Sequence, residues 1–221
     1  MNFPDSLLPP AILWPANLLA ALLLYHCIRR APWRILGKEG LQHLWLASCA
    51  GLMAMWSIKT GIKPGLNFHM LGGTLLTLMF GPRLAIMALA AVLLGVTLAG
   101  AGGWHSLGLN LLMMGSLPVL FSYALYSQAH HKLPRHVFVY IFVDAFVTAG
   151  LSIVLLGMAD TLLLALAGAY SLEYLGDNYL PYFILMGWSE AMLTGMAVAL
   201  MVAYRPEWLA TFNDKLYIKG K

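Results

Sequence analysis

Charge is scarce in this chain. Only 10% of its 221 residues are Asp, Glu, Lys or Arg, while 61% are hydrophobic and the mean hydropathy is +0.77. A soluble domain of that size has no core large enough to hide so much apolar surface, so a water-soluble fold is excluded. Cysteine is nearly absent too. Cys27 and Cys49 offer neither a disulfide framework nor a Cys-x-x-Cys metal motif, and both lie in or beside apolar runs as small core residues. The chain has no Gly-x-x-x-x-Gly-Lys-Ser/Thr phosphate loop, so it is not expected to hydrolyse ATP. It also lacks a Gly-x-Ser-x-Gly elbow and a His-Glu-x-x-His helix, and it is not expected to be an enzyme. Nucleic-acid motifs are missing as well.

What is present is one apolar run after another, with no soluble domain between them. Runs of roughly 20 residues span a bilayer as helices. They fall at Ile12 to Ile28, Leu41 to Ile58, Phe68 to Phe80, Leu84 to Gly100, Leu107 to Tyr126, Val137 to Gly157 and Tyr179 to Tyr204. The expected fold is therefore all-α, a polytopic transmembrane helical bundle of about seven spans forming a single integral membrane domain over residues 1–221. Six or eight crossings stay open. The third run is short and contains glycine, and Met158 to Tyr170 is apolar enough for a re-entrant or surface helix.

Lys and Arg in short loops stay on the cytoplasmic side of a membrane. With an odd number of spans, Arg29, Arg30, Arg34, Lys38, Arg83, Lys132, Arg135, Arg205, Lys215, Lys219 and Lys221 share one side, leaving Lys59 and Lys63 for the other. The N-terminus is expected outside and the C-terminus in the cytoplasm, in a bacterial inner (plasma) membrane. Basic loops facing an anionic leaflet account for the net charge of +4 and the pI of about 9.1 without nucleic acid as a partner. Met1-Asn2-Phe3-Pro4-Asp5 lacks the positive start of a signal peptide, so the initiator end is expected to survive and present a free amine on the outer face.

That topology sorts seven histidines. His26, His43, His130, His131 and His136 fall at cytoplasmic ends or in a cytoplasmic loop; His69 and His105 are external. His69 opens an apolar run in His69-Met70-Leu71-Gly72-Gly73-Thr74-Leu75, where an imidazole must be hydrogen-bonded, solvated or bound to something. His105 follows the loop Gly100-Ala101-Gly102-Gly103-Trp104. A free amine and two imidazoles on one side are nitrogen donors suited to nickel, cobalt, copper or zinc. Asn67 and Asn110 are candidates to orient ligands or hold the N-terminal segment. Glu190 and Asp144 are acids within spans; for Asp144 a structural hydrogen bond to Ser, Thr or Trp neighbours is the expectation. Gly72-Gly73 is expected to bring its helix close to a neighbour and so fix His69.

Several segments, in order, resemble one family. Met1-Asn2-Phe3-Pro4-Asp5-Ser6-Leu7-Leu8-Pro9 is similar to the opening M-H-I-P-D-G-F-L of the CbiM/NikM family, the substrate-binding membrane components of energy-coupling-factor-type cobalt and nickel importers. Pro64-Gly65 with His69 to Gly73 resembles its P-G-x-x-x-G-H-L-L-G-G, and Gly81-Pro82 follows. Leu107 to Gly115 resembles L-G-A-N-V-F-N-M-G, and Ser189 to Gly195 resembles G-E-A-L-I-T-G. The resemblance implies uptake of a nickel- or cobalt-type cation, driven by a transmembrane coupling subunit and cytoplasmic ATPases. It also implies a planar site built from the N-terminal amine, the backbone nitrogen of residue 2, a His side chain at position 2, and the His matched by His69. Here position 2 is Asn2, so one imidazole is missing. Met1, Asn2 and His69 keep nitrogen donors, and His105, which matches a Thr of the family pattern, is the candidate replacement. The alternative reading is a metal-free or repurposed membrane binding or assembly protein that shares the fold.

Overall fold

The computed structural model describes residues 1–37, 40–58 and 60–217. Of the positive residues used to orient the chain, Lys38, Lys59, Lys219 and Lys221 lie outside them. The order is α1 (Pro10–Arg30), α2 (Leu41–Ser57), a hairpin of β1 (Thr60–Lys63) and β2 (Leu66–Phe68), then α3 (Gly73–Phe80), α4 (Pro82–Leu98), α5 (Leu107–Lys132), α6 (Val137–Leu166), α7 (Leu172–Asn178), α8 (Leu180–Tyr204) and the short α9 (Asp214–Tyr217). Pro10 and Pro82 start their helices at positions that need no N–H donor, and Arg29 and Arg30 sit where the α1 dipole favours cations.

Four helices, α1, α5, α6 and α7–α8 taken together, are long and apolar enough to cross a bilayer; α4, at 17 residues, is shorter. The molecule is helical and membrane-embedded. Large apolar side chains on α1, among them Trp14, Leu18, Leu19, Leu22 and Tyr25, are exposed along the helix, a surface that water would not tolerate and lipid covers. The buried residues form one connected apolar core.

Three sequence expectations change. The run from Phe68 to Phe80 is not one helix. Helix begins only at Gly73, and His69 sits in the non-helical link after β2. The hairpin itself was not anticipated, because four exposed residues and a three-residue strand carry no periodicity long enough to read. Its turn, Pro64-Gly65, has the sequence of a type II turn, with Gly65 at φ 78°. Lastly, Met158 to Leu166 continues α6 as the same helix and is not a separate surface segment.

Helices α6 and α8 approach backbone to backbone. A Cβ at Gly187 would lie 2.9 Å from the Gly150 carbonyl oxygen, and one at Gly150 would lie 3.2 Å from the Gly187 oxygen. At the end of the bundle opposite the N-terminal segment, the chain after α8 straps across α3. The Ala210 N–H donates to Met79 O (3.0 Å) and the Thr211 N–H to Leu78 O (3.3 Å). Arg83 and His26 line a cavity of about 610 Å3 at that end beside Thr211, whereas Lys63 lies on the hairpin at the other end.

Candidate metal centre

The N-terminal segment is threaded into the protein. Met1 and Phe3 are fully buried and Asn2 is 5% exposed. The Met1 amine donates to Gly65 O (2.9 Å), Asn67 O (3.3 Å) and the Tyr179 hydroxyl (2.7 Å), and lies 3.3 Å from Asp160 Oδ2. Tyr179 passes a hydrogen bond on to the same Asp160 oxygen at 3.0 Å. Burial lowers the pKa of the Met1 amine, and the Asp160 carboxylate opposes that shift.

Two asparagines clasp the next residues as a neighbouring strand would. Asn67 Oδ1 accepts from the Asn2 N–H (3.0 Å) while its Nδ2 donates to Asn2 O (3.2 Å). Asn110 Oδ1 accepts from the Phe3 N–H (2.8 Å), and its Nδ2 reaches Asn2 Oδ1 (2.9 Å) and Phe3 O (3.0 Å). The Asn2 side chain is thereby used at both ends, since its Nδ2 donates to Ala101 O at 3.3 Å. Asp5 finishes the clasp by accepting from the backbone N–H groups of Trp104 (3.0 Å) and Ser106 (2.8 Å). Burial pushes the Asp5 carboxyl up, and the hydrogen bonds from Ser106 and the His105 backbone outweigh it, leaving its pKa below the ordinary value. A cavity of about 350 Å3 opens beside Asn2, between the Pro64-Gly65 turn and the Gly100 to Gly103 loop.

His69 follows β2, the strand whose Asn67 receives the N-terminus. Its ring is 5% exposed, lies 4.7 Å from the Trp56 ring, and places Nδ1 3.3 Å from Met70 O. The link behind it is held by Glu190, whose carboxylate accepts from the Leu71 N–H (3.0 Å) and the Gly72 N–H (2.6 Å). Both oxygens of this 2%-exposed acid are thus used at the start of α3, where free N–H groups and the helix dipole favour an anion. Gly72 has φ 71°, and a Cβ there would lie 2.7 Å from Leu52 Cδ2. Gly72→Leu is expected to cost about 2–5 kcal/mol from left-handed backbone and overpacking together. It should also weaken metal binding without removing a ligand; titration of the variant showing unchanged affinity would defeat that packing argument.

The structure brings Met1, Asn2, Asn67 and Asn110 into one hydrogen-bonded cluster, with His69 two residues beyond Asn67 and Glu190 bracing the link that follows. It sets His105 elsewhere. The His105 ring is exposed against Trp14 (centroids 6.5 Å apart) in a separate cavity of about 190 Å3, and its carbonyl accepts from Asn17 at 2.8 Å. Among the described residues no group of three or more His, Cys, Asp or Glu side chains can hold an ion. A site beside His69 would therefore draw on the terminal amine, backbone nitrogen or amide groups. Sequence reading missed Asp160 and Tyr179. The one available signal was an acid within an apolar stretch, and nothing local tied it to a residue 159 positions away.

Comparison with known proteins bears on this arrangement. A family model described as the cobalt uptake substrate-specific transmembrane region, CbiM, matches residues 2–208. A Haloquadratum walsbyi protein named for metal transport is 30% identical over 129 residues, 58% of this chain and 58% of that protein. A Lactiplantibacillus plantarum fused protein named for nickel transport, LarMN, is 32% identical over 160 residues, 67% of this chain and 47% of that protein. The matched parts thus span only about half the length of those relatives. Among solved structures, a truncated transition metal transporter superposes with a TM-score of 0.78 at 20% identity, covering 92% of this chain and 99% of that one. A second transition metal transporter gives 0.76 at 20% identity, covering 92% and 93%. At that identity they establish the fold alone.

Proposed function

Because the chain belongs to the family of cobalt-uptake substrate-specific transmembrane regions, and is a transition-metal transporter component of that type, we propose that it captures a nickel- or cobalt-type divalent cation at the outer face of a bacterial inner membrane. In this reading the bundle crosses the bilayer seven times with its N-terminus outside. A transmembrane coupling subunit and cytoplasmic ATPases drive passage inward. The ligands are the Met1 amine, the Asn2 backbone nitrogen and the His69 imidazole, with Asn67, Asn110 and Glu190 fixing their positions.

The observation that carries this reading is the burial of the N-terminus against β2, one residue before His69. Taking a chain end so far out of solvent is costly, since desolvating an ammonium costs several kcal/mol unless its partners are well placed. Metal would take the place of protons. The Met1 amine must shed one, and the Asn2 amide must lose the proton that it gives to Asn67 Oδ1. Nitrogen donors of this kind favour late divalent ions over magnesium or calcium. One observation supports the alternative of a metal-free scaffold: the Asn2 side chain, standing where the family pattern has an imidazole, is satisfied at both ends by Asn110 and Ala101.

Titrating the purified protein, its N-terminus unextended, with nickel, cobalt, copper and zinc separates the two. One tight equivalent that His69→Ala abolishes is expected. Absence of binding by any of the four would remove the importer reading and leave the scaffold.

A further inference from the structure

One face of α6 is polar through the depth of the bundle. Tyr140, Asp144, Thr148, Ser152 and Asp160 recur at four-residue spacing with Leu156 as the only apolar member, and their exposures are 0%, 2%, 1%, 1% and 0%. In an ideal α-helix such a series drifts about 40° at each step, because four residues overshoot a turn of ~3.6. Residues Tyr140–Val147 adopt wider π-helical turns, which counter the drift and keep Tyr140, Asp144 and Thr148 facing the interior. Other helices add to the file. The Thr74 hydroxyl of α3 lies 2.8 Å from Ser122 Oγ and 3.3 Å from Ser152 Oγ. At the far end the Tyr140 hydroxyl meets Thr211 Oγ1 at 2.7 Å, and Tyr126 donates to Thr211 O at 2.9 Å.

Several of these hydroxyls spend their proton locally. Ser152 donates to Ala149 O (2.8 Å) and Thr148 to Val143 O (2.8 Å), which leaves oxygen lone pairs facing the file. Asp144 breaks the pattern. The sequence suggested a hydrogen bond from Ser, Thr or Trp, yet no such bond forms, and its buried Oδ1 has no hydrogen-bond partner among the described residues. Oδ1 of Asp160 is likewise unpartnered, but that carboxylate has the Met1 amine and Tyr179 on its other oxygen. A buried carboxyl group with an unpartnered oxygen inside a membrane bundle is costly to keep, and an acid placed there marks a functional position. A π-helical turn at the same place is a common mark of a functional position.

We propose that Asp144 is a second, weaker divalent-cation position, roughly 12 Å inward along α6 from the level of Thr74 and Ser152 at ~1.5 Å per residue. It receives the ion on its way from the N-terminal site and holds it beneath the strap at Thr211. A carboxylate oxygen binds a late divalent metal less tightly than nitrogen does, as transit requires: a position that bound as firmly as the capture site would not release. Only the identity of the ion as a transported metal rests on the function proposed above.

The test uses cobalt alone and the full chain with His69→Ala, which disables the capture site. A residual equivalent with Kd on the order of 1 mM is expected, lost in His69→Ala/Asp144→Asn and kept in His69→Ala/Asp144→Glu. Asp144→Asn by itself should melt no lower than the parent, because the amide has nearly the same shape and no hydrogen bond to Oδ1 is lost. The proposal is overturned if His69→Ala binds no cobalt, if Asp144→Asn leaves the weak equivalent in place, or if Asp144→Asn unfolds the protein. The capture-site reading is judged separately, by the tight equivalent of the parent protein.

Discussion

Asp160→Asn is expected to destabilise the protein by about 3–5 kcal/mol, the cost of leaving one member of a buried ion pair without the other. Asp160 and the Met1 amine are both fully buried, and the Tyr179 hydroxyl links them at 2.7 Å to the amine and 3.0 Å to the carboxylate. An amide in place of the carboxylate still accepts a hydrogen bond but no longer balances the ammonium. The chain can escape by pulling the N-terminal segment out of the bundle, which gives up the clasp of Asn67 and Asn110 and with them the geometry at His69. Unfolding in detergent and hydrogen exchange at Asn2 and Phe3 report the two routes. Either a lowered melting temperature or lost protection of those amides is expected, accompanied by loss of metal binding. Unchanged stability and unchanged protection together would mean that the pair contributes nothing.

Asn2→His should raise nickel affinity on the order of 100-fold, equivalent to about 2.7 kcal/mol. The substitution supplies the imidazole that the resemblance implies at position 2, on a residue whose backbone nitrogen is already placed. It also sacrifices the Asn2 side-chain bonds to Asn110 (2.9 Å) and Ala101 (3.3 Å). Two ordinary hydrogen bonds are worth about 1–3 kcal/mol between them. A fourth nitrogen ligand on a late divalent ion outweighs that, so the net change favours binding. Calorimetry on both proteins decides it. A histidine variant that binds nickel no better than the parent would mean that the cluster around residue 2 is built to exclude the metal, which is the scaffold reading.

Much was legible along the chain. The shortage of charge established a membrane protein, and the ordered short segments identified the family that the comparisons then showed. Helix positions followed closely where an apolar run is long: Tyr179 to Tyr204 was expected and Leu180–Tyr204 is helical. Around the candidate site legibility fell away. His69 was read as the first residue of a span but lies in a link, because the αL glycine at 72 and the Glu190 carboxylate set where α3 begins. His105 was grouped with His69 on topology alone, and the structure turns its ring toward Trp14. Asp144 was given a hydrogen bond, yet its Oδ1 has no partner among the described residues.

The division has a physical cause. Apolar content, helix length and the side of the membrane preferred by positive loops are sums over neighbouring residues, so the sequence by itself determined that this is a helical membrane protein and which family it joins. The ion pair of Met1 with Asp160, the grip of Asn67 and Asn110 on the N-terminal segment, and the hold of Glu190 on the His69 link each join residues 65 to 159 positions apart. Such pairs leave no local pattern, because each partner alone is only a polar residue in or beside an apolar run. Packing decides which of them meet, and only the tertiary structure records that choice.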